Sequence, residues 1–301
     1  MNFTVITHVR HKKHQGTIYA YGPYVREMNL WFKHTDKPVL VAPLYDEKPQ
    51  PIHIPYNKNP EFHRVPAFSL TSASEIFKTI FKLPLIFWKV FRAMQHADHI
   101  HLRLPGNMGL VGSLVQILFP GKPKTVKYAG NWDPQAPAPW SYRLQKAIVA
   151  NPFLSRNMKV LVYGEWPGQS RNIVPFFTAS YREDEITEVP VRELKEPVRL
   201  IYAGALSAGK RPLLAVQTAE ELLRRGRKVQ LDMYGDGAMR PELEKYLAER
   251  PQLQKAVKLH GNRSAEELKK AFRQAHFLVF ASKSEGWPKV VAEAMCGNVS
   301  P

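Results

Sequence analysis

The sequence is poor in cysteine and has no long apolar run. Cys296 is the only cysteine among 301 residues, which excludes an intramolecular disulfide framework or a zinc site of several cysteines and is typical of a reducing compartment. Because no stretch of about 18 uncharged apolar residues occurs, we predict no membrane-spanning helix. Residues 1–10 lack a basic segment followed by an apolar core, so we expect no signal peptide. These absences predict a cytoplasmic protein.

Acidic residues are scarce in the first part of the chain. Residues 1–180 contain 22 Lys and Arg against 9 Asp and Glu, a net charge of +13, whereas residues 181–301 contain 21 against 17, a net charge of +4. Such an excess favours an anionic partner, which is an anionic lipid, a phosphorylated acceptor or a nucleic acid. No helix-turn-helix, zinc pattern or RNP-like aromatic motif accompanies it, so we expect no nucleic-acid binding.

Strand-like apolar runs alternate with helix-like segments along the chain. The predicted strands are Phe3–Thr7, Val39–Pro43, Ala97–Leu104, Thr125–Ala129, Val198–Ala203, Val229–Tyr234, Val257–His260 and Phe277–Ala281. The predicted helices are Tyr19–Phe32, Leu110–Leu118, Arg211–Arg225, Pro241–Glu249, Ser264–Ala275 and Pro288–Met295. This alternation is typical of parallel α/β sheets, and its clearer form in the second half predicts a doubly wound sheet.

The chain is long enough for two domains. A charged, polar stretch from Arg182 to Glu196 predicts their junction, so we expect domains at residues 1–182 and 183–301. Residues 44–66 are rich in Pro, Asn and His and predict a long irregular connection.

Residues 285–295 (EGWPKVVAEAM) combine an anion site with two acids. Gly286 permits a tight loop, and Pro288 suits the first turn of a helix. The backbone amides of Lys289 and Val290 would then face the start of that helix, which is a favourable place for a phosphate or diphosphate.

Glu285 and Glu293 lie eight positions apart in this segment. A carboxylate accepts strong hydrogen bonds from sugar hydroxyls, so the pair beside a phosphate site predicts a nucleotide-sugar site. The alternative is a surface helix with two solvated glutamates. The predicted site is favoured because Gly204, Gly235–Gly237 and Gly261 also follow strands, and ligands bind at the carboxyl ends of strands in such sheets.

Four segments of the second half occur in the order and spacing of a known family. They are Tyr202–Arg211 (YAGALSAGKR), Met233–Gly237 (MYGDG), Leu259–Gly261 (LHG) and Ser284–Met295 (SEGWPKVVAEAM). Over residues 198–297 they resemble the family 4 glycosyltransferases. The first half is similar in outline only, through Gly16 after the first strand and through Asp98–Pro105.

The resemblance implies a GT-B architecture, in which two Rossmann-like domains face each other across a cleft. It implies retaining transfer of a sugar from a UDP- or GDP-sugar to a glycan or lipid-linked acceptor, in polysaccharide or glycoconjugate synthesis. Because the family usually works without a bound metal, we expect no metal site and no cofactor, the nucleotide sugar being a substrate.

The resemblance also assigns roles to residues. Lys210 corresponds to a lysine that contacts the donor diphosphate, Glu285 to an acid near the sugar hydroxyls, and Glu293 to an acid that holds the ribose. Asp236 and Gly237 lie near the base, and we predict Lys210 and Glu285 as catalytic, with no protein nucleophile. The predicted donor-binding residues are Gly16, Gly204, Lys210, Arg211, Asp236, Gly237, Lys289, Val290 and Glu293.

The chain departs from the family at three places. Ala205 stands where the family usually has Arg, and Arg211 is the nearest substitute cation. On the acceptor side His101 corresponds to the first histidine of the family's loop, but Arg103 replaces the second. Arginine is always protonated and cannot act as an acid or base, so Arg103 suits an anionic acceptor; a buried polar pair is the alternative. The family also continues beyond Gly297, so we expect an incomplete second domain.

Residues 75–94 mix large aromatic side chains with Lys and Arg. This mixture is typical of a segment at a membrane interface, and predicts peripheral association with the inner face of the cell membrane. The alternative is a domain-packing helix interrupted at Pro84. For the whole chain, the rival functions are a non-catalytic nucleotide-binding fragment and a GT-B nucleotide-sugar epimerase.

Overall fold

The computed structural model describes residues 1–68, 77, 79–177, 193–297 and 299–300. The chain divides into two compact units, Met1–Phe177 and Thr178–Pro301. The predicted boundary between residues 182 and 183 falls in residues 178–192, which lie outside the described residues.

The first unit contains β1 (Asn2–Ile6), β2 (His11–His14), β3 (Thr17–Tyr21), α1 (Gly22–Phe32), β4 (Lys37–Tyr45), β5 (His53–Pro55), β6 (Glu61–Val65), α2 (Leu83–Gln95), β7 (His99–Leu104), α3 (Asn107–Val115) with a 3-10 turn (Gln116–Leu118), β8 (Lys124–Tyr128), α4 (Trp140–Ala150), β9 (Met158–Val162) and β10 (Ile173–Pro175). The second contains β11 (Val198–Ala203), α5 (Pro212–Arg224), β12 (Val229–Tyr234), α6 (Arg240–Ala248), α7 (Pro251–Ala256), β13 (Val257–Gly261), α8 (Ala265–Phe272), β14 (Phe277–Leu278) and α9 (Lys289–Cys296).

A parallel sheet forms the centre of the first unit. Its strands run in the order β10, β9, β8, β7, β1, β4, and β4 also pairs with β6, with all these neighbours parallel. Helices α2, α3 and α4 contribute Val90, Val111 and Val149 to one core cluster, while α1 packs Met28 into a second cluster with Phe3. Burial on both faces explains why these strands are continuous apolar runs.

The segment after β1 differs from the prediction, which had Gly16 after the first strand and a helix over Tyr19–Phe32. β2 and β3 form an antiparallel hairpin, and Gln15 and Gly16 at its turn have φ angles of 48° and 80°. Two positive φ values fit a two-residue turn of type I′, so Gly16 serves the turn and the helix begins only at Gly22. Residues 44–66 are likewise more regular than predicted, because they contain the end of β4 and the strands β5 and β6.

The second unit is the doubly wound sheet that the sequence predicts. Its strand order is β13, β12, β11, β14, with all pairs parallel. Leu231 packs with α5, α6 and α7 on one face, and Ile201 packs with α8 and α9 on the other. The capping box of Ser264 and Glu267 begins α8 as predicted, whereas α7 was not predicted. The carboxyl ends of β11, β12 and β13 therefore meet at one edge.

Candidate functional site

Two loops of the second unit touch at the carboxyl edge of its sheet. The amide of Gly204, which follows β11, donates to the carbonyl oxygen of Tyr234 at 2.9 Å. The amide of Leu206 donates to the carbonyl oxygen of Asp236 at 3.1 Å. Backbone hydrogen bonds thus fix the predicted donor-binding loops against each other.

Gly235 and Gly237 permit this close approach. Gly235 has a φ of 130°, which side-chain-bearing residues rarely adopt. A Cβ atom there would collide with the carbonyl group of Gly204, and one at Gly237 would lie 2.5 Å from the carbonyl oxygen of Leu206. Gly204 has more room, since the nearest atom to an added Cβ would be 3.7 Å away. The need for glycine therefore lies in the loop after β12.

The structure brings Lys210 and Glu285 together, although 75 positions separate them in the sequence. The Nζ atom of Lys210 forms an ion pair and hydrogen bond with Oε1 of Glu285. The two loops are also joined by their backbones, because the amide of Lys283 donates to the carbonyl oxygen of Gly209 at 2.9 Å. The side chains of Lys210 and Glu285 are 34% and 19% exposed, so a ligand in solution can reach the pair.

Tyr202 lies near this ion pair and was not predicted as a site residue. Its hydroxyl donates to the carbonyl oxygen of Ala205 at 3.0 Å. Burial, and after it the negative charge of Glu285, raise the pKa of Tyr202 to about 12. The hydroxyl is therefore protonated at neutral pH and acts as a hydrogen-bond donor.

Arg211 follows Lys210 and precedes α5. Its backbone is left-handed, with φ 49° and ψ 52°, and its side chain is exposed. Among the described residues Arg211 has no ion-pair partner, so its charge is available to an anion beside Lys210.

Asp236 shares its loop with a cation that the sequence reasoning missed. Its Oδ2 atom lies 3.4 Å from Nη1 of Arg240, and Nε of Arg240 donates to Oε1 of Glu244 at 2.8 Å. Arg240 also approaches the end of β13, since a Cβ added to Gly261 would lie 3.4 Å from its guanidinium. The one sequence signal for Arg240 is the i, i+4 spacing of its acidic partners.

The helix α9 begins at Lys289, close to the predicted start. The amide of Lys289 donates to the carbonyl oxygen of Trp287 at 2.9 Å, so the expectation that this amide points unpaired toward a phosphate is wrong. Val290 packs its side chain into the core cluster beside α8. Glu293 is half-buried and lies about one turn into the helix, while Glu285 lies in the loop before it.

In the first unit, His101 lies within β7 rather than in a loop. Its side chain is fully buried, and Nδ1 lies 2.8 Å from Oγ1 of Thr125. The ring stacks on Phe3 with centroids 5.7 Å apart and contacts Trp31 at 5.2 Å. Burial lowers the pKa of His101 to about 3, so the ring is neutral at neutral pH. This placement fits the buried-residue alternative.

Arg103 is part of a buried charge network. Nη1 of Arg103 lies 2.9 Å from both carboxylate oxygens of Glu27 on α1, and Nζ of Lys127 lies 3.4 Å from Oε1 of the same carboxylate. Burial alone would raise the pKa of Glu27, but the positive charges of Arg103 and then Lys127 outweigh it and lower the pKa. No local pattern in the sequence pointed to Glu27 or Lys127, because their contact depends on how α1 packs on the sheet.

The predicted site residues therefore fall into two groups. Gly16, His101 and Arg103 belong to the first unit, and Gly16 lies at an exposed hairpin turn. The remaining predicted residues belong to the second unit, where Lys210 and Glu285 are in direct contact. Within the described part of the chain, no three His, Cys, Asp or Glu side chains form a group suited to a metal ion.

The second unit matches a family model. Residues 184–299 match the family Glycosyl transferases group 1, a segment that contains Lys210, Asp236, Glu285 and Glu293. A curated relative, the alpha-D-kanosaminyltransferase of Streptomyces kanamyceticus, is 30% identical over 135 residues. The match covers 43% of this chain and 35% of that protein, so the chain spans about a third of the relative's length.

Solved structures are similar to a larger share of this chain than the curated relative is. Alr3699/HepE of Anabaena, solved in complex with UDP-glucose, has a TM-score of 0.65 at 12% identity over 99% of this chain and 79% of that chain. WaaG, a glycosyltransferase involved in lipopolysaccharide biosynthesis, has a TM-score of 0.59 at 13% identity over 99% and 80%. A TarM variant of S. aureus has a TM-score of 0.53 at 17% identity over 71% of this chain and 43% of that chain. At these identities the likeness concerns the fold, and it confirms the predicted α/β class of the GT-B type.

Proposed function

We propose that this chain is a retaining family 4 glycosyltransferase that transfers a sugar from a UDP- or GDP-sugar to a glycan or lipid-linked acceptor without a bound metal. The observation that carries the proposal is the contact of Lys210 with Glu285, at the carboxyl edge of the sheet in the segment matching group 1 glycosyl transferases. The ammonium group supplies charge for a diphosphate, and the carboxylate accepts hydrogen bonds from sugar hydroxyls.

The central task in such a transfer is to stabilise the leaving diphosphate. Negative charge grows on it as the anomeric bond breaks, and cations already in position lower the barrier. Lys210 fills this role in the proposal, with Arg211 as a second cation because its exposed side chain follows directly in the chain. The acceptor attacks from the side of the leaving group, so that configuration is retained with no protein nucleophile.

We assign the other donor contacts to residues of the same unit. Asp236 and Gly237 are assigned to the side of the base, where Arg240 pairs with Asp236. Glu293 is assigned to the ribose, and its half-buried position one turn into α9 leaves part of the side chain accessible. On the acceptor side, Arg103 is paired with Glu27 and only 12% exposed, so we assign it to the packed core and not to the acceptor.

Thermal unfolding with UDP-, GDP- and ADP-sugars tests the donor proposal. A ligand at about 100 times its Kd stabilises a protein by about 2.7 kcal/mol, so one of the three should raise Tm by several degrees. The increase should be lost in Lys210→Ala and kept in Lys228→Ala, which removes an exposed lysine elsewhere in the same unit. The absence of any increase with all three donors would contradict the proposal.

Product analysis by NMR tests the reaction itself. A glycoside with the anomeric configuration of the donor sugar, formed together with free nucleoside diphosphate, supports retaining transfer. An inverted glycoside would refute retention, and conversion of the donor into its epimer would favour the rival epimerase.

We also propose that the first unit binds an anionic membrane surface through α2 and the residues before it. No helix in the described ranges is long and apolar enough to cross a bilayer, so contact would be peripheral. Phe81 and Trp88 are 73% and 59% exposed, and Phe77, Ile80 and Leu85 are exposed as well. Residues 75, 76 and 78 of the predicted segment lie outside the described residues.

The local structure supports this surface. Residues 77, 79 and 80 are helical and a turn at Phe81–Lys82 separates them from α2, so the helical segment is interrupted just before Pro84, which lies in the first turn of α2. Ile86, Val90 and Met94 are buried in the core cluster of the first unit, whereas Trp88 on the same helix is 59% exposed. The positive charge of the first half attracts anionic lipid at about 1 kcal/mol per nearby Lys or Arg.

Co-sedimentation with phosphatidylglycerol vesicles tests the membrane proposal. Binding should fall with added salt, and should fall further in the double variant Phe81→Ser, Trp88→Ser. A matched change of the exposed apolar residues Leu214→Ser and Phe277→Ser in the second unit should have no effect. Wild-type protein that stays in the supernatant would contradict the proposal.

A further inference from the structure

A basic groove lies in the first unit, at the end of its parallel sheet where the amino ends of the strands meet. Two adjoining concavities of about 680 and 720 Å³ share Gly121, Pro152, Asn157 and Arg171 in their lining. These residues precede β8, β9 and β10, so the groove lies at the amino ends of these parallel strands. Ligand sites of doubly wound sheets lie at the carboxyl ends. None of the predicted donor and acceptor residues lines the groove.

The lining of the groove is positively charged. Arg156 lines the first concavity and Lys159 the second, while Arg171 lines both; neither lining contains Asp or Glu. Among the described residues, none of these three cations forms an ion pair. A concave surface with several cations and no carboxylate raises the local concentration of anions.

An aromatic ring is held at the rim. Phe153 is 71% exposed, and the guanidinium of Arg156 lies 4.8 Å from its ring centroid. The Oδ1 atom of Asn151 accepts hydrogen bonds from the amides of Phe153 at 2.9 Å and Leu154 at 3.2 Å. Exposing a phenyl ring to water is unfavourable, yet the loop keeps it in this position. The ring is thus a preformed apolar surface beside a cation.

The backbone around the groove is also fixed. Asn157 has a φ of 53°, and its side-chain amide donates to the carbonyl oxygens of Pro120 at 3.1 Å and Gly121 at 3.4 Å. On the other wall, the side chain of Asn172 donates to the carbonyl oxygen of Val149 at 2.8 Å. The loops that carry Arg156 and Arg171 are therefore anchored on both sides, which lowers the entropy cost of binding.

We propose that this groove binds the phosphate group of an anionic ligand, with Arg156 and Arg171 contacting the phosphate and Phe153 contacting an apolar or ring portion beside it. Arginine suits this role because its planar group presents paired donors to phosphate oxygens. The proposal goes beyond the glycosyl transfer proposed above, because none of these residues belongs to the donor or acceptor set. The phosphate can come from a soluble ligand or from a lipid headgroup.

Isothermal titration with inorganic pyrophosphate at low salt is the first test. The double variant Arg156→Ala, Arg171→Ala should weaken one class of sites by at least about tenfold, as loss of charge-assisted hydrogen bonds predicts. The control Lys255→Ala, Lys258→Ala removes the same charge from exposed positions of the second unit and should have no effect. Lys210→Ala should spare this class of sites, which separates it from the proposed donor site.

Phosphatidylglycerol vesicles identify the source of the phosphate. Vesicle binding that Arg156→Ala, Arg171→Ala weakens, in protein that does not bind pyrophosphate, assigns the groove to lipid headgroups. Pyrophosphate binding weakened by the same variant assigns it to soluble phosphate. Phe153→Ala keeps the charge, and should weaken vesicle binding while leaving pyrophosphate binding unchanged. If neither probe distinguishes the Arg156/Arg171 variant from the Lys255/Lys258 control, with both variants folded by circular dichroism, the proposal is wrong.

Discussion

The two units each place a charged cluster near the carboxyl ends of their strands, but the clusters differ in exposure. In the first unit Arg103 and Glu27 are 12% and 11% exposed, and Lys127 is 1% exposed. In the second unit Lys210 and Glu285 are 34% and 19% exposed. The first cluster is therefore part of the packed interior, whereas the second pair is accessible from solvent.

This difference in exposure predicts that the first cluster contributes mainly to stability and the second pair mainly to ligand binding and reaction rate. Removing one partner of a buried ion pair leaves an uncompensated charge, which typically costs about 3–5 kcal/mol. An accessible pair contributes about 0–1 kcal/mol to stability. Its loss should therefore lower ligand affinity and reaction rate more than stability. The following predictions test this contrast.

The largest expected effect is on the buried cluster. Glu27→Ala leaves Arg103 and Lys127 without their carboxylate and should lower the free energy of unfolding by about 3–5 kcal/mol, measured by urea denaturation. Glu61→Ala, which removes an exposed carboxylate from β6, should change it by less than about 1 kcal/mol. Equal losses in the two variants would contradict the larger contribution predicted for the buried cluster.

The next effect concerns the accessible pair. Lys210→Ala should reduce kcat by about 10²–10³, as expected for loss of one electrostatic donor to the leaving group, and should leave the urea midpoint almost unchanged. Steady-state kinetics and urea denaturation on the same preparation measure both quantities. A loss of stability similar to that of Glu27→Ala would remove the contrast between the two clusters.

A smaller effect should follow from the loop after β12, which is hydrogen-bonded to the loop after β11. Gly235→Ala forces a side chain into a φ of 130° and against the carbonyl group of Gly204, so it should cost about 1–3 kcal/mol of stability. Gly209→Ala is the matched control, because an added Cβ there meets no atom within 4 Å. Equal thermal stability of the two variants would contradict the predicted strain.

The smallest expected effect is a pH dependence of the first unit. Burial lowers the pKa of His101 from 6.5 to about 3, so its contribution to stability is complete above pH 6.5 and is lost as the pH falls toward 3. Between pH 6.5 and 5.5 the unfolding free energy should fall by roughly 1 kcal/mol from this residue.

Urea denaturation across this pH range measures the slope. His101→Gln should make it shallower, while His34→Gln at an exposed position should keep the wild-type slope. Burial lowers the pKa of His11 as well, to about 4, so part of the slope should remain in His101→Gln. An unchanged slope in that variant would argue against the buried, neutral ring.

The sequence predicted the second unit better than the first for a physical reason. Strands such as Val198–Ala203 are marked by continuous apolar runs, and the strand Val229–Tyr234 is followed by Gly235 and Gly237, which the close approach of the neighbouring loop requires. In the first unit, the hairpin at Gln15–Gly16 depends on one dipeptide with positive φ, which composition does not reveal.

The pairing of charges was the hardest feature to predict. Lys210 and Glu285 were expected at one site through the family resemblance, and the structure places them in contact. Glu27 and Lys127 were missed because a contact between a helix and a strand far apart in the chain has no local signal. Arg240 was missed because its spacing from Asp236 is common on exposed helices.

The proposed donor site carries its own counter-ion, because Lys210 and Glu285 form an ion pair. A simple anion that draws Lys210 away leaves the carboxylate without a cation, so it gains little. A ligand that presents hydroxyl donors to Glu285 as well as phosphate oxygens to Lys210 compensates both groups at once. If Lys210 and Glu285 bind the donor as proposed, their ion pair favours sugar-bearing diphosphates over inorganic anions.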